Sequence, residues 1–136
     1  LNFEKKYLNE KTFTYFRKRV LQSKIDLYNL IKKFNLQNKK VFGVGSPSRG
    51  ATLVNYVGLK EDLVKCILEV KGSYKIGKFM PGTKIPIVEE SYISKNKPDY
   101  LLLLSWHISK QLIKTFKKKG FKGKFIIPLP KPKIVN

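Results

Sequence analysis

Acidic residues are scarce in this chain. Nine Asp and Glu stand against 29 Lys and Arg, for a formal charge of +20 over 136 residues. Cysteine and histidine occur once each, as Cys66 and His107. One of each cannot complete a closed zinc site, and a lone cysteine excludes a disulfide within the chain, which suits a cytoplasmic protein. Cys66 lies in an apolar run between Val64 and Ile67, so it is expected to be a small buried hydrophobe. Long apolar stretches are missing too: the longest, Tyr100 to Leu104, is strand-sized and far too short to cross a bilayer. Leu1 to Asn9 carries charges throughout, unlike a cleavable signal. No nucleophile elbow, paired catalytic carboxylates or metal cluster is legible. Binding is therefore better supported than catalysis, and no catalytic or metal-ligating residue is assigned.

The basic excess invites attraction to polyanions: nucleic acid, an acidic membrane surface or phosphorylated ligands. The lysines, however, are spread over every expected surface, and Arg17, Arg19 and Arg49 are the arginines. Nucleic-acid binders gather their charge on one face, with arginines and exposed aromatics interleaved. The Lys-, Asn- and Ile-rich composition instead matches the codon bias of an AT-rich genome, and a nucleic-acid partner is disfavoured. With 42% hydrophobic and 12% aromatic residues the chain can build one core at this length.

What is present is organised around Val41-Phe42-Gly43-Val44-Gly45-Ser46-Pro47-Ser48-Arg49-Gly50. A short strand, Val41 to Val44, runs through a small-residue turn into a helix starting near Ser48. Amides at such a junction face the turn and the helix dipole favours an anion, with Arg49 placed to hold a phosphate. Gly43 and Gly45 match the first two glycines of a dinucleotide fingerprint, but Ser48 stands where the third belongs.

Upstream, a helix capped by Asn9 or Thr12 is expected to run to about Leu36. Its stripe is Phe13, Phe16, Val20, Leu27, Leu30 and Phe34, at spacings of three, four and seven. Its first turns would suit a neighbouring domain or a partner chain, its C-terminal half a sheet. Downstream, Gly58 ends the second helix and Leu63 to Val70 reads as a buried strand. Glu69, at its end, stands where an acid would bond a ribose hydroxyl in a dinucleotide-binding unit. Lys71 to Thr83 is a long loop carrying Lys75, the kind that commonly serves function. Ile85 to Val88 is a short strand, Glu89 to Ile93 a brief helix, and Asp99 to Leu104 a central parallel strand buried on both faces. Ser105-Trp106-His107 leads into a helix from Ile108 to Lys119. Lys124 to Ile127 is the last strand, and Pro128 to Pro132 an extended tail.

This order predicts an α/β fold: a Rossmann-like three-layer sandwich on a mostly parallel five-stranded sheet, preceded by a long N-terminal helix. The divisions are 1–38 for the lead-in helix and 39–136 for the sheet domain. In open parallel sheets ligands sit beyond the carboxyl ends of the strands. The Gly43 turn, Glu69 with the Lys75 loop, and Trp106-His107 all follow such ends. Trp106 could stack a base or sugar, while His107 shows no partner that would make it a general base.

Four ordered segments resemble the C-terminal domain of sugar C-methyltransferases. They are Gly43 to Asn55, Lys75 to Ile87, Asp99 to His107, and Ile126 to Pro130. Arg49 replaces the family's usual lysine and His107 a common asparagine. The resemblance implies S-adenosylmethionine-dependent enzymes that methylate a carbon of a nucleotide-linked keto sugar. Such enzymes combine a zinc-binding N-terminal domain, a central cofactor domain, and this Rossmann-like domain that helps hold the sugar nucleotide. With one cysteine and one glycine-rich turn, the chain is expected to be the C-terminal domain alone, binding neither cofactor itself, with S-adenosylmethionine and zinc in upstream domains. Its expected substrate-binding residues are Gly43, Gly45, Ser46, Ser48, Arg49, Thr52, Asn55, Glu69, Lys75, Trp106 and His107. Expected partners are the nucleotide sugar, the upstream methyltransferase domains, and a second copy through the long helix. An NAD(P)-binding oxidoreductase-type domain and a basic nucleic-acid-binding module are the competing readings.

Overall fold

The computed structural model describes residues 2–136, with side chains from Asn9 onward. The charges of Leu1 to Leu8, part of the argument against a signal, therefore lie outside the described side chains. Helix α1 (Asn2–Leu36) is followed by strand β1 (Val41–Val44), helix α2 (Ser48–Val57), and strands β2 (Ile67–Glu69) and β3 (Ile87–Glu89). A one-turn helix α3 (Tyr92–Lys95), strand β4 (Tyr100–Leu103), a 3-10 turn (Trp106–Ile108), helix α4 (Ser109–Lys118), and strands β5 (Lys124–Ile127) and β6 (Lys133–Val135) complete it. The strand order is β3-β2-β1-β4-β5-β6, with the first five parallel and β6 antiparallel to β5.

The α/β class and the long first helix are as expected, but the sheet has six strands where five were read. The proline run does not trail away as a tail. It bends the chain back so that Ile134 lies opposite Ile126 on the sheet edge. A three-residue strand behind three prolines carries too little periodicity to be read.

Element boundaries also differ, among them that of β3, which was read from Ile85 but starts at Ile87. Helix α1 extends back to Asn2 and is not capped at Asn9 or Thr12. Nothing before Thr12 breaks a helix, and Thr14 bonds the Glu10 carbonyl within it at 3.0 Å. The second strand is shorter than Leu63–Val70, because Leu63 and Val64 are buried in a turn below it. The brief helix starts at Tyr92, and Glu89 instead ends β3, paired in register with Glu69. Ladder bonding outweighed the helix-start preference of the acids.

Alternation along the strands builds a hydrophobic layer on each face of the sheet. On one, Val41, Ile67, Leu102 and Ile126 meet Leu27, Ile31 and Phe34 of α1 and Val54 and Val57 of α2. Phe34 stacks on Tyr100 with ring centroids 3.8 Å apart. On the other, Phe42, Val44, Leu68, Leu101, Leu103 and Phe125 meet Phe116 of α4, with Ile93 of α3 alongside. Cys66 belongs to this second layer, and burial pushes its thiol up to about 12. Leu101, Leu102 and Leu103 are completely buried, as a strand covered on both faces must be. Gly58 ends α2 at φ 85°, its N–H returning to the Val54 carbonyl.

The strand order runs β1, β2, β3 to one side and β4, β5 to the other, so it reverses between β1 and β4. Their carboxyl ends part there, and the turns after them line the resulting crevice. No described helix is long and apolar enough to cross a membrane.

Two outcomes follow from the layering. Ile31→Ala, which empties a fully buried position, should cost about 2–5 kcal/mol in urea unfolding, whereas Phe13→Ala, at a 61% exposed position, should stay within about 0.5 kcal/mol. For Cys66, the folded state holds the proton above the pH at which the unfolded thiol releases it. Stability should thus fall as pH rises from 9.0 towards about 12, by about 1.4 kcal/mol per unit, and this component should vanish in Cys66→Ala.

Candidate functional site

The turn after β1 is a closed local structure. Gly45 sits at φ 82°, and its N–H bonds the Leu68 carbonyl at 2.9 Å. A side chain here would be strained by the backbone, and a Cβ would lie 2.8 Å from the Ser105 hydroxyl. Ser46, the one buried polar residue among those described, donates both its N–H and its hydroxyl to Oε1 of Glu69. The N–H bond is 2.8 Å long. Lys75 Nζ donates to the Ser46 carbonyl at 2.8 Å, tying the long loop to the same residue. Gly45, Ser46, Glu69 and Lys75 thus form one cluster, and Glu69 already serves the turn.

Helix α2 starts immediately afterwards. Pro47 is its N-cap and supplies no side-chain bond, and the first turn holds no acid. The leading N–H groups of α2 are therefore open to an outside acceptor. Gly50 decides how near this helix comes to the sheet: a Cβ there would stand 3.0 Å from Leu104 Cβ and 3.4 Å from its carbonyl oxygen. The glycine that permits close helix–strand packing is Gly50. The fingerprint spacing had pointed to Ser48, two positions too early.

Beside this helix start lies a groove of about 890 Å³ between α1, α2, the 3-10 turn and the proline-rich bend. Ser48, Arg49, Thr52 and Trp106 line it, and so do Phe16, Arg19, Lys24 and Tyr56, which sequence reasoning missed. Ser23 closes one corner through a 2.8 Å bond to the Pro130 carbonyl, and Lys24 Nζ stands 4.7 Å from the Tyr56 ring centroid. The wall is mostly apolar. Its charged groups are Arg19, Lys24 and Arg49, and no Asp or Glu lines it. Arg49 is exposed, and the ion pair formed among the described residues joins Lys119 to Glu90 instead.

The expected residues therefore divide. Ser48, Arg49, Thr52 and Trp106 meet at the groove, while Gly45, Ser46, Glu69 and Lys75 shape the adjoining turn. Gly43 lies within β1, where a Cβ would stand 2.5 Å from Ile67 Cδ1. Asn55 donates to the carbonyls of Ala51 and Pro81, both at 2.8 Å, and clamps the loop to α2. His107 is exposed on the 3-10 turn and does not line the groove. The α1 contribution had one legible sign: Phe16 and Val20 lie on its apolar stripe, and Ser23 falls at the next helical step.

The fold and site define an α/β domain whose glycine turn and helix start open onto a cationic, aromatic groove. By sequence it belongs to the C-methyltransferase C-terminal domain family, matched over residues 3–130, a span that takes in nearly all of α1 and the five parallel strands. It is 32% identical over 110 residues to the C-methyltransferase NovU of Streptomyces niveus, covering 79% of this chain and 26% of that protein. The chain thus spans about a quarter of the length of this relative.

The turn's bonding is checked by Glu69→Ala, which leaves the Ser46 N–H and a buried hydroxyl without an acceptor. Urea unfolding should show a loss of about 1–3 kcal/mol, with Glu69→Gln, which keeps an oxygen in place, losing clearly less.

Proposed function

We propose that this chain is the substrate-holding domain of an S-adenosylmethionine-dependent C-methyltransferase, and that it grips a nucleotide-linked sugar in the groove beside α2. The observation that carries this reading is the groove's composition. Three cations and three aromatic side chains surround an uncapped helix start, with no carboxylate among them. Diphosphate chemistry needs the cations and the open N–H groups. A base or sugar ring needs faces such as those of Trp106 and Tyr56.

The strand order, with its reversal between β1 and β4, supports a Rossmann-like reading of the sheet. In such folds the crevice at the reversal point takes the ligand, and the groove opens beside it. Arg49, Arg19 and Lys24 would neutralise the phosphates, Trp106 and Phe16 would exclude water, and the Glu69–Ser46–Lys75 cluster would hold the turn in shape.

Methyl transfer itself needs a donor, which S-adenosylmethionine supplies when bound. Its sulfonium would meet three like charges and no ribose-binding acid in this groove, so on this reading the donor sits on another domain. Zinc does not suit these residues either. Among the described residues no three His, Cys, Asp or Glu gather, and the Cys66 thiol is buried in the core and held protonated. The domain's role is then to bind and orient, with the reacting carbon presented outward to the donor domain.

Calorimetric titration with nucleoside-diphosphate sugars tests this. Binding should be salt-sensitive, and Arg49→Ala should weaken it about 10–100-fold, as the loss of a charge-assisted contact does. Absence of heat, or equal affinity in Arg49→Ala, would refute the assignment.

A further inference from the structure

The apolar stripe of α1 does not stop where the sheet does. Leu27, Ile31 and Phe34 are buried against the sheet and α2, at 1%, 0% and 5% exposure. Continuing towards the N-terminus at the same helical spacing come Val20, Phe16 and Phe13, which are 39%, 62% and 61% exposed. Leu21 and Ile25, flanking them, are also open. One stripe thus serves two surfaces, of which only one is covered. Because Ser23 bonds the Pro130 carbonyl at the groove, the bare half projects past the carboxyl edge of the sheet, beside the groove mouth.

The rim of this bare half is cationic. Arg17 lies 5.9 Å from the Phe13 ring centroid and Arg19 the same distance from Tyr15. From Asn9 to Gln22 the side chains carry Lys11, Arg17, Lys18 and Arg19 against the single acid Glu10. Two copies packed stripe to stripe would bring these cations together in a desolvating interface, which is costly. A second copy is therefore the wrong occupant on electrostatic grounds. An apolar surface rimmed by carboxylates is the complementary one.

We infer that the exposed half of α1 is the docking arm for an acid-rimmed apolar surface on the remaining portion of a C-methyltransferase. The family membership and the length relation bear on this choice, since this chain spans about a quarter of its Streptomyces relative. A catalytic portion seated on Phe13, Phe16 and Leu21 would overhang the groove, whose wall already includes Phe16 and Arg19. Docking and closure of the groove would then be one event. The inference stands whatever the groove holds.

Photo-crosslinking tests it directly. A benzophenone amino acid replaces Phe13, which does not line the groove, and the chain is expressed in its own cells. Crosslinked peptides are identified by mass spectrometry, and the mass of the purified chain is followed by sedimentation. The expected product joins position 13 to an Asp- or Glu-bearing peptide of a methyltransferase polypeptide. Its yield should fall at least fivefold with Leu21→Ser and in high salt, with thermal unfolding unchanged. Crosslinks to α1 of a second copy, or a sedimenting dimer abolished by Leu21→Ser, would overturn the inference. So would crosslinks to nucleic acid or lipid, or no crosslink at all.

Discussion

Helix α2 comes closest to the chain leaving β4 at residue 50, which has no side chain. With Gly50 against Leu104, the helix drops into contact with the chain leaving β4, and its first turn comes to lie over the crevice between β1 and β4. Any Cβ there would have to displace backbone-proximal atoms at 3.0–3.4 Å. Much follows from this single approach. Ser48 and Arg49 come to the groove, Val54 and Val57 reach the core, and Gly45 in the preceding turn takes a left-handed conformation. Glu69 then closes the turn from the neighbouring strand. The uncapped helix start and the packing of the core thus meet at one close approach.

The strands were legible because each is an apolar run bounded by turn residues, and all five of the parallel ones were anticipated. The packing glycine was not. The fingerprint counts three positions on from Gly45, yet Pro47, extended at ψ 161°, lengthens the turn before the helix begins. The close contact consequently falls at Gly50, which sequence reasoning passed over. Glu69 was expected among the substrate-binding residues from its place at the end of β2. There its carboxylate accepts from the Ser46 hydroxyl and N–H. That choice depends on where Ser46 sits in space. The α1 wall of the groove was hidden for the same reason: Arg19 and Lys24 precede the glycine turn by some two dozen positions, and no local pattern links them to it.

Charge in this protein has two origins that the composition alone merges. Many lysines are scattered, but the acids are few and several are engaged. Glu69 is held by Ser46, Glu90 by Lys119, Asp99 by the Lys40 N–H, and Asp26 by Gln22. None of the described acids lines the groove to offset its three cations. A uniformly basic surface would raise the encounter rate with any anion, but it would not select one. Selection requires cations held relative to flat apolar faces, as Lys24 is over the Tyr56 ring.

The two halves of α1 rest on different physics. From Leu27 onward the helix is held by burial, and its propensity hardly matters. Before Ser23 the described side chains make few contacts, so the backbone there relies on propagation from the packed half. The packed turns supply the nucleus, which removes the usual barrier for a helix in water. Yet Asn9, Thr12, Phe13, Thr14, Tyr15 and Phe16 include some of the weaker helix formers, whose side chains lose freedom against the preceding turn. A segment selected only for solubility or for helicity would carry Ala, Glu and Lys at these positions. Aromatic residues on the core-facing stripe, at a cost in propensity, make sense where contact with another surface returns more than propensity loses.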